Sequence, residues 1–190
     1  MNGQSARQHD DQLISRTLNG EREAFGDLVR KYQDRLYNGV VKILRNEAEA
    51  EDTVQEAFIL ALTKLNTFQG KSGFYTWLFR IAYNAAVTRI RKRKPTTSLE
   101  GLGNESQLQL PSDQPAPEAD MVRHERAEKL MWALGQMSEE HRSILVLREM
   151  EEMDYSAISE VLELPVGTVR SRLHRARLQL KDILETEMES

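Results

Sequence analysis

A proline-rich segment divides this chain into two parts, and it constrains the possible folds more than any other feature. Four of the five prolines lie between Pro95 and Pro117. The segment 95–120 has neither helical nor strand periodicity and is rich in Ser, Gly, Gln and Asn. This composition predicts a flexible linker between one domain at 1–94 and another at 121–190. Both parts are long enough to fold independently.

Apolar residues before the linker recur every three or four residues, which indicates helices. Breaks fall at Asn19-Gly20, at Asn46 and in the loop 66–73. No segment alternates with period two, so the first domain is predicted to be all-α. The three stripes are Phe25, Leu28, Val29, Tyr32, Leu36, Val40 and Ile43, then Val54, Ala57, Phe58, Ala61, Leu62 and Leu65, then Trp77, Leu78, Ile81, Ala82 and Ala85.

The second domain shows helical segments closed by short turns. A helix is predicted from about Glu118 to Met137, Ser138 is a good N-cap for the next, and Asp154 can cap a short third helix. After a tight connection the final helix carries a stripe with steps of 3, 4, 3, 4 and 3. The stripe is Val166, Val169, Leu173, Ala176, Leu180 and Ile183. The whole chain is thus predicted to be two small all-α domains.

The net charge of −4 hides three separate charge blocks. Residues 80–94 hold six basic and no acidic side chains, and residues 166–181 hold five basic and no acidic ones. The linker 95–120 holds five acidic and no basic side chains. Confined basic blocks in an acidic protein suggest contact with a polyanion, although two solvated helix faces would give the same pattern.

Several function classes lack support in the sequence. The four histidines show no helical i,i+3 or i,i+4 pair, there is no cysteine, and no catalytic order of residues stands out, so neither an enzyme nor a metal or cofactor site is predicted. Acidic pairs such as Glu151-Glu152 are interpreted as solvated loop residues. The absence of an apolar run near 20 residues argues against membrane insertion, and we expect a soluble cytoplasmic protein.

Two features favour nucleic-acid binding. Two short helices joined by a tight turn form a helix-turn-helix, and the second presents Arg170, Ser171, His174 and Arg175 on its first two turns, where bases of a major groove are read. The alternative is that these arginines only pair with nearby glutamates. The second feature is the stretch 68–83, which holds six of the twelve aromatic residues.

Aromatic faces beside cations suit single-stranded nucleic acid, because unpaired bases stack and phosphates need counter-charges. Phe68, Phe74 and Tyr75, beside Lys71 and Arg80, are the candidates for such contacts. Trp77 shares a stripe with the core and is predicted to be buried.

In this order, the motifs resemble the extracytoplasmic-function group of bacterial RNA polymerase sigma factors. The matching segments are DTVQEAF (52–58), FQGKSGFYTWLFRIAYN (68–84) and PVGTVRSRLHRAR (165–177). The resemblance implies transcription initiation without enzymatic activity. It also implies core polymerase, through its β′ clamp and β flap, together with promoter DNA and an anti-sigma factor as partners.

The resemblance assigns roles by position. The helix 52–65 is similar to the core-binding segment, with Asp52, Gln55 and Glu56 as polar contacts and Val54, Phe58 and Leu62 facing the domain's own core. The loop 66–73 and the next helix match the part that separates the −10 strands, while 155–174 matches the −35 reader. The implied −10 residues are Phe68, Lys71, Ser72, Phe74, Tyr75, Arg80 and Asn84; the implied −35 residues are Arg148, Tyr155, Ser156, Thr168, Arg170, Ser171, His174 and Arg175.

Gln69-Gly70-Lys71 departs from the acidic loop that relatives often carry, so acidic contacts are not transferred to this loop. Two other functions stay open at this stage. One is a helix-turn-helix regulator that acts without polymerase, and the other is a helical adaptor that binds only proteins.

Overall fold

The computed structural model describes residues 3–93 and 118–188, and its side chains over 7–92 and 125–187. These described parts are helical and contain no strand, which confirms the predicted all-α class. The predicted linker lies outside the described residues except for its last three positions, which begin a helix. The helices are α1 (Gly3–Leu18), α2 (Arg22–Leu44), α3 (Glu47–Thr63), α4 (Phe74–Arg93), α5 (Glu118–Gln136), α6 (Glu139–Leu145), α7 (Tyr155–Leu162) and α8 (Val166–Met188).

The helices of the first domain begin and end where the sequence supplies caps. The side chain of Asn46 accepts the Glu49 N–H at 2.9 Å and starts α3, whose first turn is acidic and so complements the helix dipole. Arg45, in a left-handed conformation, ends α2. The apolar stripe of α2 is buried against α3 and α4, with Leu28 and Leu36 fully buried.

Helix α1 is fastened to α2 and to the loop after α3. Asp10 is buried and accepts hydrogen bonds from Tyr32 and Lys31 of α2. Arg7 donates to the carbonyl of Gly70, which has a φ of 65°. A 3₁₀ turn, Leu65–Thr67, leads from α3 into this loop.

The second domain follows the predicted caps. Ser138 accepts the His141 N–H and starts α6, which continues into a π-helical turn at Val146–Met150. Asp154 accepts the Ala157 N–H at 2.8 Å and starts α7. The predicted stripe of α8 is confirmed at its centre, where Val169, Leu173 and Ala176 are buried, while Val166 remains 36% exposed.

The two domains pack against each other. Helix α7 lies on α4, the π-helical turn lies on α2, and one hydrophobic cluster runs through both domains. The sequence suggested two separate domains, and it carried no sign of this contact. The contact places the second domain directly over helices α2 and α4 of the first. Within the described ranges, no helix is long and apolar enough to cross a membrane.

Candidate functional site

The outer face of α3 carries the predicted polymerase contacts. Asp52, Gln55 and Glu56 are all exposed. Arg89 of α4 donates to Glu56 at 3.0 Å and lies 3.6 Å from Asp52. Together with Ile59 and Leu60, these four residues line a shallow groove of about 290 Å³. The face therefore combines acidic, amide and apolar groups at the surface.

The predicted core face of α3 needs one correction. Val54 and Phe58 are buried as predicted, but Leu62 is 48% exposed. Ile59, one turn earlier, is 67% exposed. The core side of α3 is narrower than its apolar stripe, so Leu62 extends the exposed apolar part of the outer face.

The aromatic residues of the stretch 68–83 form a packed cluster. Phe68 is half-buried, and its ring centroid lies 5.9 Å from that of Phe74 and 5.3 Å from that of Trp77. The prediction that Trp77 is buried is confirmed. Phe74 and Tyr75 are only 2% and 8% exposed, so neither ring is open to a base in this arrangement of the domains.

The second domain covers part of the predicted −10 surface. The Tyr75 hydroxyl donates to Glu151 Oε2 at 2.7 Å, and the Ser72 hydroxyl donates to Glu160 Oε1 at 2.8 Å. Arg80 Nη1 lies 3.7 Å from the same Glu160 oxygen. Burial raises the pKa of the Tyr75 phenol, and the Glu151 carboxylate raises it further, so Tyr75 is a neutral donor. Lys71 and Asn84 stay exposed.

The first turns of α8 present their polar side chains to solvent, as the sequence predicts. Arg170, Ser171, His174 and Arg175 are all exposed. The salt-bridge alternative is correct for two other arginines of α8, since Arg172 pairs with Glu140 at 3.2 Å and Arg177 pairs with Glu149 at 2.6 Å. Hydrogen bonding to Glu149 raises the pKa of Arg177.

Tyr155, the first residue of α7, contacts two of the other −35 candidates with its ring. The guanidinium carbons of Arg148 and Arg170 lie 5.4 Å and 5.9 Å from the centre of its ring. Arg148 also donates to the Met153 carbonyl at 2.8 Å. Ser156 is exposed and Thr168 is half-buried. The structure thus gathers Arg148 and Arg170 around one aromatic ring at the start of the helix-turn-helix.

Sequence reasoning missed three residues of the domain contact. Glu151 was interpreted as a solvated loop residue, but it is only 4% exposed; its neighbour Glu152 is exposed, as expected. Arg35 Nε donates to Glu151 Oε2 at 3.1 Å, and Glu160 binds Ser72. No local pattern distinguishes these residues, because their partners lie in the other domain.

Comparison with protein families finds two matches in the same order as the domains. Residues 28–96 match the model described as Sigma-70 region 2. Residues 127–180 match the model described as Sigma-70, region 4. The first match covers α3, α4 and most of α2, and the second covers α6, α7, the second half of α5 and most of α8.

Two curated proteins are similar over nearly the whole chain. The RNA polymerase sigma-H factor of Pseudomonas aeruginosa is 38% identical over 187 residues, which cover 94% of this chain and 95% of that protein. The ECF RNA polymerase sigma factor SigW of Bacillus subtilis is 37% identical over 175 residues, 88% of this chain and 92% of that protein.

One solved structure has a similar arrangement of helices. It is that of CnrH in complex with the cytosolic domain of CnrY, with a TM-score of 0.68 and 25% sequence identity. The match covers 94% of this chain and 98% of that chain. The similarity therefore extends across both domains.

Proposed function

The chain belongs to the ECF sigma factors of bacterial RNA polymerase, and from that premise we propose how its surfaces divide the work of starting transcription. As a sigma factor it is an initiation factor and not an enzyme: it works with core polymerase and promoter DNA. We place this work in the cytoplasm, where the polymerase is. Residues 1–94 form the core-binding and −10 domain, 95–120 the linker, and 121–190 the −35 domain.

The −35 element is read by α8. The single observation that carries this assignment is the solvent-facing set Arg170, Ser171, His174 and Arg175 on the first two turns of a helix-turn-helix. Arginine offers a two-pronged donor to guanine O6 and N7, and the serine hydroxyl can donate or accept. Arg148, Tyr155, Ser156 and Thr168 complete the surface.

Core polymerase binds the outer face of α3. Asp52, Gln55 and Glu56 supply polar groups there, and exposed Ile59 supplies apolar area. A partly apolar, solvent-exposed groove rimmed by charges is the kind of surface that proteins use for specific association. The clamp of the β′ subunit is the proposed partner of this face, and the β flap is that of the second domain.

The −10 strand is captured by the loop 66–73 and by α4. Lys71 and Asn84 are open to it, and Phe68 is half-buried at the loop's edge. Unpaired bases gain stacking energy from aromatic side chains and need counter-charges for their phosphates. Ser72, Tyr75 and Arg80 contact carboxylates of the second domain and become fully available to the strand only when that domain moves away. Phe74 is proposed as a further −10 residue, although in the free chain its ring packs against those of Phe68 and Trp77 in its own domain.

An inhibitory partner of the anti-sigma class is also proposed. Its support is the solved complex of CnrH, similar to this chain over both domains, with the cytosolic domain of a second protein.

Transcription in vitro with purified core polymerase tests the function. The template is a promoter library randomised at both elements, read by sequencing the transcripts. We expect start sites that depend on this chain, with Arg170→Ala and Arg175→Ala relaxing preference only in the −35 element. Exchanging residues 69–72 for another member's loop should change only the −10 preference. A shift of −35 preference on loop exchange would refute this division of labour.

A further inference from the structure

Two carboxylates of the second domain lie on a cationic and hydroxyl-bearing surface of the first. We call Arg35, Ser72, Tyr75 and Arg80 the covered surface: Tyr75 is buried, Ser72 and Arg80 are half-buried, and the Arg35 side chain is contacted at its guanidinium while 49% of its surface stays exposed. Glu151 follows the π-helical turn, and Glu160 lies on α7. Each of the four covered side chains contacts one of these two carboxylates.

The Glu151 carboxylate is held in a specific, hydrogen-bonded position at this contact. A buried carboxylate is costly unless it is paired and hydrogen-bonded, and Glu151 is 4% exposed. Its Oε2 accepts from Arg35 at 3.1 Å and from Tyr75 at 2.7 Å, and Arg35 also donates to its backbone carbonyl at 2.7 Å. Helix α2 makes room with Gly39, because a Cβ there would lie 2.8 Å from Glu151 Oε1.

The partners of these carboxylates are those that nucleic-acid backbones use. Guanidinium groups and hydroxyls are among the donors that contact phosphates in protein–DNA complexes, and a carboxylate offers them similar anionic oxygens. The Arg35 guanidinium carbon lies over the Tyr75 ring, 4.2 Å from its centre, so the guanidinium and the phenol ring are in contact. Tyr75, Ser72 and Arg80 already belong to the proposed −10 surface, and Arg35 extends it on α2.

We propose that the covered surface binds backbone phosphates of the single strand at the −10 element, and that in the free chain Glu151 and Glu160 occupy it in their place. This proposal rests on the proposed function and adds Arg35 as a DNA contact. In the free chain the covered surface is unavailable to the −10 strand until the domains separate, whereas Lys71 and Asn84 stay exposed. Core polymerase opens it by binding the separated arrangement more tightly, which is the only way a ligand can shift such an equilibrium.

The test uses the full chain, whose lack of cysteine allows clean labelling. Cysteines at the exposed positions Glu23 and Asp182 carry a spin-label or dye pair that reports the distance between the domains. In the variant Glu151→Gln with Glu160→Gln we expect longer distances. We also expect about three- to tenfold tighter binding of a mixed-sequence single-stranded oligonucleotide, as the loss of two ion pairs frees the covered surface.

A matched variant controls for net charge. Glu185→Gln with Glu187→Gln removes the same charge from exposed positions near the end of α8. It should leave the distances unchanged and raise oligonucleotide affinity less than twofold. Equal gains in both variants would show a non-specific charge effect and would overturn the proposal. An unchanged distance distribution in the Glu151/Glu160 variant would also overturn it.

A charge exchange separates occupancy from simple loosening. The variant Arg80→Glu with Glu160→Arg keeps an ion pair at the contact. Its distance between the domains should therefore be as short as in the wild-type chain, and its oligonucleotide affinity should be lower than that of the Glu151→Gln, Glu160→Gln variant. An exchange variant with a long distance between the domains contradicts the pairing.

Transcription by holoenzyme tests the proposed function separately. The Glu151→Gln, Glu160→Gln variant should support transcription at the wild-type level, because the proposal has the domains separated in holoenzyme. If the wild-type chain supported no transcription with core polymerase, the proposed function would be refuted. The distance between the domains of the free chain could still be measured, so the two failures are distinguishable.

Discussion

Arg170 and Arg175 of α8 have the same chemistry as the two arginines of the covered surface, but only the latter are paired with carboxylates of the other domain. Arg170 and Arg175 face solvent. Arg35 and Arg80 are paired with Glu151 and Glu160, and Glu151 lies 116 positions after Arg35 in the chain. Whether an arginine is free for DNA therefore depends on carboxylates that the fold brings to it, and not on its neighbours along the chain.

This contrast separates the two DNA contacts in the free chain. The proposed −35 residues Arg170, Ser171, His174 and Arg175 are already exposed on α8, so the proposed groove contact does not depend on uncovering them. Under our proposal, the part of the −10 surface that contacts Glu151 and Glu160 becomes free only when the domains separate. We therefore expect the free chain to make duplex contacts through the second domain while the covered surface of the first domain remains occupied.

The largest expected effect tests whether the two domains share one core. Leu147, in the π-helical turn that lies on α2, is fully buried, and Leu147→Ala should destabilise the chain by about 2–5 kcal/mol. The two tryptophans report separately, Trp77 from the first domain and Trp132 from the second. In chemical denaturation of Trp77→Phe and Trp132→Phe backgrounds, both signals should shift together.

An unshifted Trp77 transition in the Leu147→Ala chain would show that the domains unfold independently, which would contradict the shared core. Leu178→Ala is the control, because Leu178 lies on α8 and is 48% exposed. It should change stability by less than about 0.5 kcal/mol.

The next effect concerns the exposed side of the comparison. Arg170→Ala should cost about 1–3 kcal/mol of −35 duplex affinity at the base pair it reads, in the free chain as well as in holoenzyme. Arg177→Ala is the matched control on the same helix, since its guanidinium is paired with Glu149 at 2.6 Å. Binding to duplexes substituted one base pair at a time measures both. A loss that is equal across all sequences would assign Arg170 to a phosphate.

The face of α3 belongs with the exposed set and should respond without domain opening. Gln55→Ala with Glu56→Ala should weaken core-polymerase binding by about 1–2 kcal/mol, the size of a moderate interface contribution. Gln33→Ala with Asp34→Ala makes the same change at exposed positions of α2 and should have no effect. Competition for core polymerase, followed by gel filtration, measures both. Unchanged holoenzyme formation by the α3 variant contradicts this assignment.

Features set by local periodicity could be predicted from the sequence, and those set by the other domain could not. The caps Ser138 and Asp154 and the buried positions Val169 and Leu173 follow from neighbouring residues, and the structure contains them. Leu62 was wrongly predicted to face the core, because an apolar stripe on a helix does not show how much of it the neighbouring helices will cover.

The burial of Glu151 and Tyr75 follows from the packing of one domain on the other, between segments 76 residues apart. No pattern within either segment encodes this contact. For the same reason, the sequence placed Tyr75 among residues open to bases, and only the packed structure shows what lies over it.

The smallest expected effect is the sharpest test of the comparison. Arg80→Ala in the otherwise wild-type free chain should change the affinity for a single-stranded oligonucleotide by less than about twofold, because Arg80 lies 3.7 Å from Glu160 and is already engaged. Its loss also weakens the domain contact, so two small effects oppose each other. In the Glu151→Gln, Glu160→Gln background the same substitution should lower affinity several-fold, since the arginine is then free to bind phosphate. The measurement is a double-mutant cycle by fluorescence anisotropy at fixed salt concentration. Equal losses in both backgrounds would mean that Arg80 is as available in the closed chain as Arg170, and the contrast between the two surfaces would not hold.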